Sequence, residues 1–128
     1  MGKERATIIY VDDVNICLMP VKDSLKNYYD VYTAHSVEKM FELLEEHQKH
    51  RSTNPDLILL DYYMPETDGF GTITELKNDT RYAGIPVVFL SSNHDENTIN
   101  MAMQLGAADY ITKPFTDSKL IERLEALL

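Results

Sequence analysis

Five short apolar runs alternate along this chain with stretches whose apolar residues recur every three or four positions. The runs are Thr7–Val11, Val31–Ala34, Leu57–Leu60, Ile85–Leu90 and Tyr110–Thr112. Most are nearly unbroken in Ile, Leu and Val rather than alternating with polar residues, which is the pattern of strands buried on both faces. Strand and helix in strict alternation predict βαβ units and a parallel sheet covered by helices on either side. Right-handed crossovers leave few topologies open. The predicted fold is therefore α/β and doubly wound, a single domain over residues 1–128 with a five-stranded parallel sheet in the order 2-1-3-4-5. The second run, DVYTA, is the most polar and suits an edge strand.

The intervening stretches carry their own signals. The first helical pattern covers Asn15–Tyr29 and contains Pro20, which predicts a kink or a late helix start. The second opens at Ser36, a candidate N-cap, and sets Val37, Met40, Phe41 and Leu44 on one stripe. It runs into EEHQKHRSTN, expected to be solvated, and His47 and His50 fall there. The third begins near Asp68–Gly69 and carries Phe70, Ile73, Thr74 and Leu76. The fourth carries Ile99, Ala102, Met103 and Leu105 and should stop at Gly106. The fifth opens at Thr116-Asp117-Ser118 and lines up Leu120, Ile121, Leu124, Leu127 and Leu128.

Composition narrows the function. With 128 residues the chain can bury a core without disulfides or a structural metal. A formal net charge of -9 argues against direct nucleic-acid binding, which needs basic patches to neutralise phosphates. No apolar stretch approaches a membrane span. Cys17 is the only cysteine and reads as a small buried hydrophobe; the lack of an internal disulfide fits a reducing cytoplasm.

The candidate chemistry sits where the strands end. Asp12 and Asp13 follow the first run, Asp61 the third, Ser91 the fourth and Lys113 the fifth. In an open parallel sheet these carboxyl ends converge on one crevice, at the switch point between the first and third strands. Three carboxylates there repel one another and should raise at least one pKa in the absence of a cation. Mg²⁺ prefers such hard oxygen ligands. A carboxylate can accept a phosphoryl group as an acyl phosphate. A dication, an ammonium and a hydroxyl would supply the charge neutralisation that phosphoryl transfer needs. Singly, each residue has an ordinary alternative: an acidic turn for Asp12-Asp13, a helix cap for Ser91, a solvated lysine for Lys113.

The segments IIYVDDV, DLILLDYYMPETDGFG, IPVVFLSS and GAADYITKPF together resemble the receiver domains of two-component response regulators, over nearly the whole chain. Asp61 and Ser91 lie 30 positions apart, and Ser91 and Lys113 lie 22 apart, as in that family. The resemblance implies a flavodoxin-like (βα)5 fold. It implies that Asp61 is the phosphoacceptor, and that Asp13 and Asp61 ligate Mg²⁺ (or Mn²⁺), with Asp12 acting through water and the backbone carbonyl of Tyr63 completing the set. Lys113, across a cis bond to Pro114, would pair with phosphoryl oxygens. The Ser91 hydroxyl and the Ser92 amide would meet the same group. Pro65 and Gly69 would shape the loop after Asp61, and Tyr63 and Asn93 would stand at rim positions that tune dephosphorylation. Tyr110 would be the second half of the switch, rotating inward as Ser91 moves.

The implied role is a phosphorylation-driven signalling switch in the cytoplasm. Its phosphodonor would be a sensor histidine kinase or a phosphotransfer protein, and it would also catalyse its own dephosphorylation. An output domain or effector would be read through the face of the fourth helix, fifth strand and fifth helix, and phosphorylation-dependent homodimerisation is also open. Two alternatives stand beside it. One is an aspartate-nucleophile phosphatase of the haloacid dehalogenase type, which usually carries a second Asp where this chain has Tyr63. The other is a docking module that is never phosphorylated.

Overall fold

A computed structural model describes residues 5–12, 22–51, 54–61 and 69–128. Strands β1 (Thr7–Val11), β2 (Asp30–Ala34), β3 (Leu57–Asp61), β4 (Val87–Ser91) and β5 (Asp109–Thr112) form one sheet in the order β2-β1-β3-β4-β5. Every neighbouring pair is parallel. Helices α1 (Val37–Arg51), α2 (Gly69–Asn78), α3 (Glu96–Gln104) and α4 (Asp117–Glu125) connect or follow the strands. Residues 22–25 are also helical, within the first helical pattern. The expected fold and strand order are those observed.

The strands separate two cores by simple alternation. Ile9, Val11, Ile58, Leu60, Val87 and Phe89 face one side, where Met40 and Leu44 of α1, Ile73 and Leu76 of α2 and Ala102 of α3 pack. Ile8, Tyr10, Leu57, Leu59, Val88, Leu90 and Ile111 face the other, against Leu25 and against Leu120 and Leu124 of α4. β2 is the less buried edge strand, as its polarity suggests.

The helix ends follow the sequence signals. Ser36 Oγ accepts from the Lys39 amide at 3.0 Å, and Thr116 Oγ1 accepts from the Lys119 amide at 3.1 Å. After α3 the Gly106 amide donates to the Met103 carbonyl and the Ala107 amide to the Ala102 carbonyl. Those are the two bonds of a Schellman cap, with Gly106 at φ 110°.

Three expectations need correction. α1 continues through the polar EEHQKHR stretch, where Glu45, Glu46 and Lys49 are exposed as expected, but His47 is buried with its ring edge-on to Tyr32 at 5.7 Å between centroids. Its helical position places it over the edge strand, where its apolar ring body packs. In α3, Met103 is not core: it is 45% exposed, as is Met101, and only Ala102 is fully buried. Leu128, counted on the apolar face of the last helix, is 40% exposed. Pro20 and Cys17 lie outside the described residues.

Candidate functional site

The ends of β1 and β3 bring two carboxylates together. Val11 pairs with Leu60, so Asp12 and Asp61 follow as neighbours on adjacent parallel strands. Both are buried, Asp12 fully and Asp61 to 5% exposure. The Asp12 amide extends the ladder by donating to the Ala34 carbonyl at 3.0 Å. Burial of charged groups is costly unless each finds a partner. Asp61 Oδ2 accepts from Lys113 Nζ at 2.8 Å, and Asp12 Oδ2 accepts from the Tyr10 hydroxyl at 3.1 Å.

Lys113 reaches Asp61 from two strands away. Its amide donates to the Ser91 carbonyl at 2.7 Å, which carries the β4–β5 pairing one residue past the strand end. The Lys113–Pro114 peptide is cis, as expected. Ser91 is fully buried, and its Oγ accepts from the Asn93 amide at 3.0 Å. Ser92 follows at the surface.

Asn93 joins this end of β4 to β5 and α3. Its carbonyl accepts from the Tyr110 hydroxyl at 2.9 Å, and its side-chain Oδ1 accepts from the Asp95 amide at 2.8 Å. Tyr110 is buried to 6% exposure, with its ring 6.1 Å from that of Phe89. The ring is thus packed inward against β4, with its hydroxyl held by the Asn93 carbonyl.

Of the sequence-derived site residues, Asp12, Asp61, Ser91, Ser92, Lys113 and Tyr110 gather toward the carboxyl end of the sheet, with Asn93 among them. Gly69 opens α2 and is buried. Asp13, Tyr63 and Pro65 lie outside the described residues. The donor set fits a hard dication: two buried carboxylates lie side by side at the ends of adjacent strands. Tyr10 was read from sequence only as a strand residue. Its position two residues before Asp12, on the same face of β1, is the signal that places its hydroxyl at the site.

The fold is a doubly wound α/β sheet with two buried carboxylates, a hydroxyl and an ammonium at its carboxyl end. Residues 8–125 match the response regulator receiver domain model, and the chain belongs to that family. It is 31% identical over 122 residues to the sensory transduction protein BceR of Halalkalibacterium halodurans, covering 94% of this chain and 49% of that protein. It is 37% identical over 128 residues to the probable C4-dicarboxylate response regulator DctR of Bacillus subtilis, covering 98% of this chain and 53% of that one. The chain thus spans about half the length of these relatives, and 7% of the hybrid signal transduction histidine kinase D of Dictyostelium discoideum. Among solved structures, the chemotaxis protein CheY4 of Vibrio cholerae superposes with a TM-score of 0.83 at 25% identity, covering 98% of this chain and all of that one.

Proposed function

We propose that Asp61 is the phosphoacceptor of this receiver domain and that Lys113, Ser91 and Ser92 hold the phosphoryl group once it arrives. The observation that carries this is the buried Asp61 carboxylate at the mouth of a central strand, bonded to Lys113 at 2.8 Å and flanked by Asp12. A carboxylate oxygen attacks phosphorus, the bond to the donor nitrogen breaks, and an acyl phosphate forms. Lys113 then moves from neutralising a carboxylate to neutralising a phosphoryl oxygen. The Ser91 hydroxyl sits one strand over, and the Ser92 amide follows it.

Asp12 and Asp61, with Asp13 and the Tyr63 carbonyl as the family resemblance adds, are the residues that would hold Mg²⁺ (or Mn²⁺). When bound, the ion offsets the paired carboxylates and the charge on the transferring group. The donor would be a phosphohistidine on a sensor kinase or phosphotransfer protein in the cytoplasm, and the same site would release the phosphoryl group to water. The reader would be an output domain or effector, or a second copy of the chain, meeting the face of α3, β5 and α4. Among the described residues no helix is long and apolar enough to cross a membrane.

The test is intact-protein mass after incubation with acetyl phosphate, with and without Mg²⁺, for the wild type and Asp61→Asn. A single base-labile phosphoryl adduct that requires both Mg²⁺ and Asp61 is expected. An adduct that survives Asp61→Asn overturns the assignment. A folded wild type that binds Mg²⁺ yet shows neither an adduct nor beryllofluoride binding supports the docking-module alternative.

A further inference from the structure

Tyr10 lies in the core between β1 and the helices on the α4 side, in the company of Ile8, Leu57 and Leu59. It is 1% exposed, and a residue needed only to fill that space requires no hydroxyl. Its hydroxyl nevertheless reaches the end of the strand and donates to Asp12 Oδ2 at 3.1 Å. Asp12 is itself fully buried, and its amide is fixed to the Ala34 carbonyl at 3.0 Å. The backbone of Asp12 is therefore set by the sheet. A hydrogen bond to one carboxylate oxygen then sets the rotation of the carboxylate plane. Asp61 obtains the same service from Lys113, also through Oδ2. Each of the two neighbouring carboxylates thus has a donor that fixes it, one a cation from β5 and one a phenol from beneath.

We propose that Tyr10 is a positioning residue for the divalent-cation site: its hydroxyl holds the Asp12 carboxylate in the orientation that receives Mg²⁺ or a Mg²⁺-bound water. Outer partners of this kind orient the groups that meet a metal, and their loss costs about 10- to 100-fold in affinity. The inference rests on the assignment of Asp12 to the cation site. Tyr29 supplies a matched control. It is a buried tyrosine in the same core, and its hydroxyl donates to the Glu125 carboxylate at the end of α4.

Mg²⁺ affinity, measured by calorimetry on the unphosphorylated protein, should weaken about tenfold in Tyr10→Phe, the lower end of that range. Tyr29→Phe, which loses the same kind of bond elsewhere, should bind as the wild type does. In the wild type, the ring-carbon resonance next to the Tyr10 hydroxyl should shift with the Mg²⁺ titration midpoint, while that of Tyr29 stays still. The last measurement needs no variant and stands if Tyr10→Phe fails to fold. Unchanged affinity in Tyr10→Phe, an equal loss in both variants, or a silent Tyr10 resonance overturns the positioning role. A wild type that binds no Mg²⁺ overturns the cation-site assignment as well.

Discussion

At the scale of single residues, the proposed chemistry rests on the Asp61–Lys113 pair. Asp61 is nearly inaccessible, while the Lys113 side chain keeps 32% of its exposure. Lys113 can therefore follow a phosphoryl group outward without leaving its strand. Lys113→Ala removes one preorganised charge from the transition state, an effect of about 10²-fold in rate. Adduct formation from acetyl phosphate should slow by that order, read as initial rate by mass spectrometry. Mg²⁺ binding should be retained or tightened, because a competing cation has gone. A variant that loses both together would place Lys113 in the fold rather than in the transfer step. Tyr29 gives a prediction of a different kind. Burial, then its hydrogen bond to Glu125, pushes its phenol well above the usual tyrosine range. Between the unfolded value, about 10, and the raised folded one, only the folded state keeps the proton. Stability from this group is thus complete below about pH 10 and falls as pH rises beyond it. Tyr82, also raised by burial, adds to the same decline, whereas burial lowers Lys77, which acts in the opposite sense. Melting temperature between pH 9 and 11.5 should fall less steeply in Tyr29→Phe than in the wild type. The positions of Asp61 and Ser91 were legible in the sequence because a buried parallel strand is an unbroken apolar run, so the first polar residue after it marks the crevice, whereas Lys113 stands one residue beyond the polar Thr112 that ends the short β5. The hydroxyl of Tyr10 was not, because the pattern of apolar positions records a tyrosine only as bulk.

Among the elements, the α3 end is the most tightly specified. Gly106 closes the helix at φ 110°, and a Cβ there would meet Lys77 Cε at 3.4 Å. Lys77 is itself fixed, with Nζ donating to the Ala83 and Ile85 carbonyls at 3.1 and 3.0 Å. That ammonium ties the end of α2 to the segment entering β4, while its stem lies along the glycine that leads into β5. Gly106→Ala should cost about 1–2 kcal/mol from the backbone conformation alone, read as a shift in the urea midpoint with unchanged slope. The glycine was legible because a Schellman cap demands it. The exposure of Met103 was not, because α3 buries a single alanine and its apolar stripe is narrower than its hydrophobic residues suggest. The burial of His47 was hidden for the converse reason. Edge strand β2 offers Tyr32 to α1, and a ring contact over an edge has no counterpart in the one-dimensional pattern.

For the molecule as a whole, the sheet is what would carry the effect of a charge at Asp61, as proposed, to a distant face. The order β2-β1-β3-β4-β5 sets Asp12, Asp61, Ser91 and Lys113 on four consecutive strand ends. Asn93 then carries the connection onward, taking a bond from its own amide to Ser91, one from Tyr110, and one to the start of α3. An acyl phosphate carries about −1.5 to −2 where the carboxylate carried −1, and it places that charge further out. It signals only by favouring one of two arrangements. The Tyr110 ring is buried and bonded to Asn93; under the proposed switch, a ligand at Asp61 has only to hold that arrangement. A phosphoryl mimic should therefore stabilise the fold without reburying Tyr110. At about one hundred times its Kd, beryllofluoride with Mg²⁺ should contribute about 2.7 kcal/mol, a rise in melting temperature of roughly 10 °C for a chain of this size. The Tyr110 ring resonances should change little. The amides of Ser91 to Asp95 and of Lys113, which line the path from Asp61, should change most. A large displacement of the Tyr110 resonances on adding beryllofluoride would show instead that the free protein holds this ring outside, and that its burial is a consequence of phosphorylation.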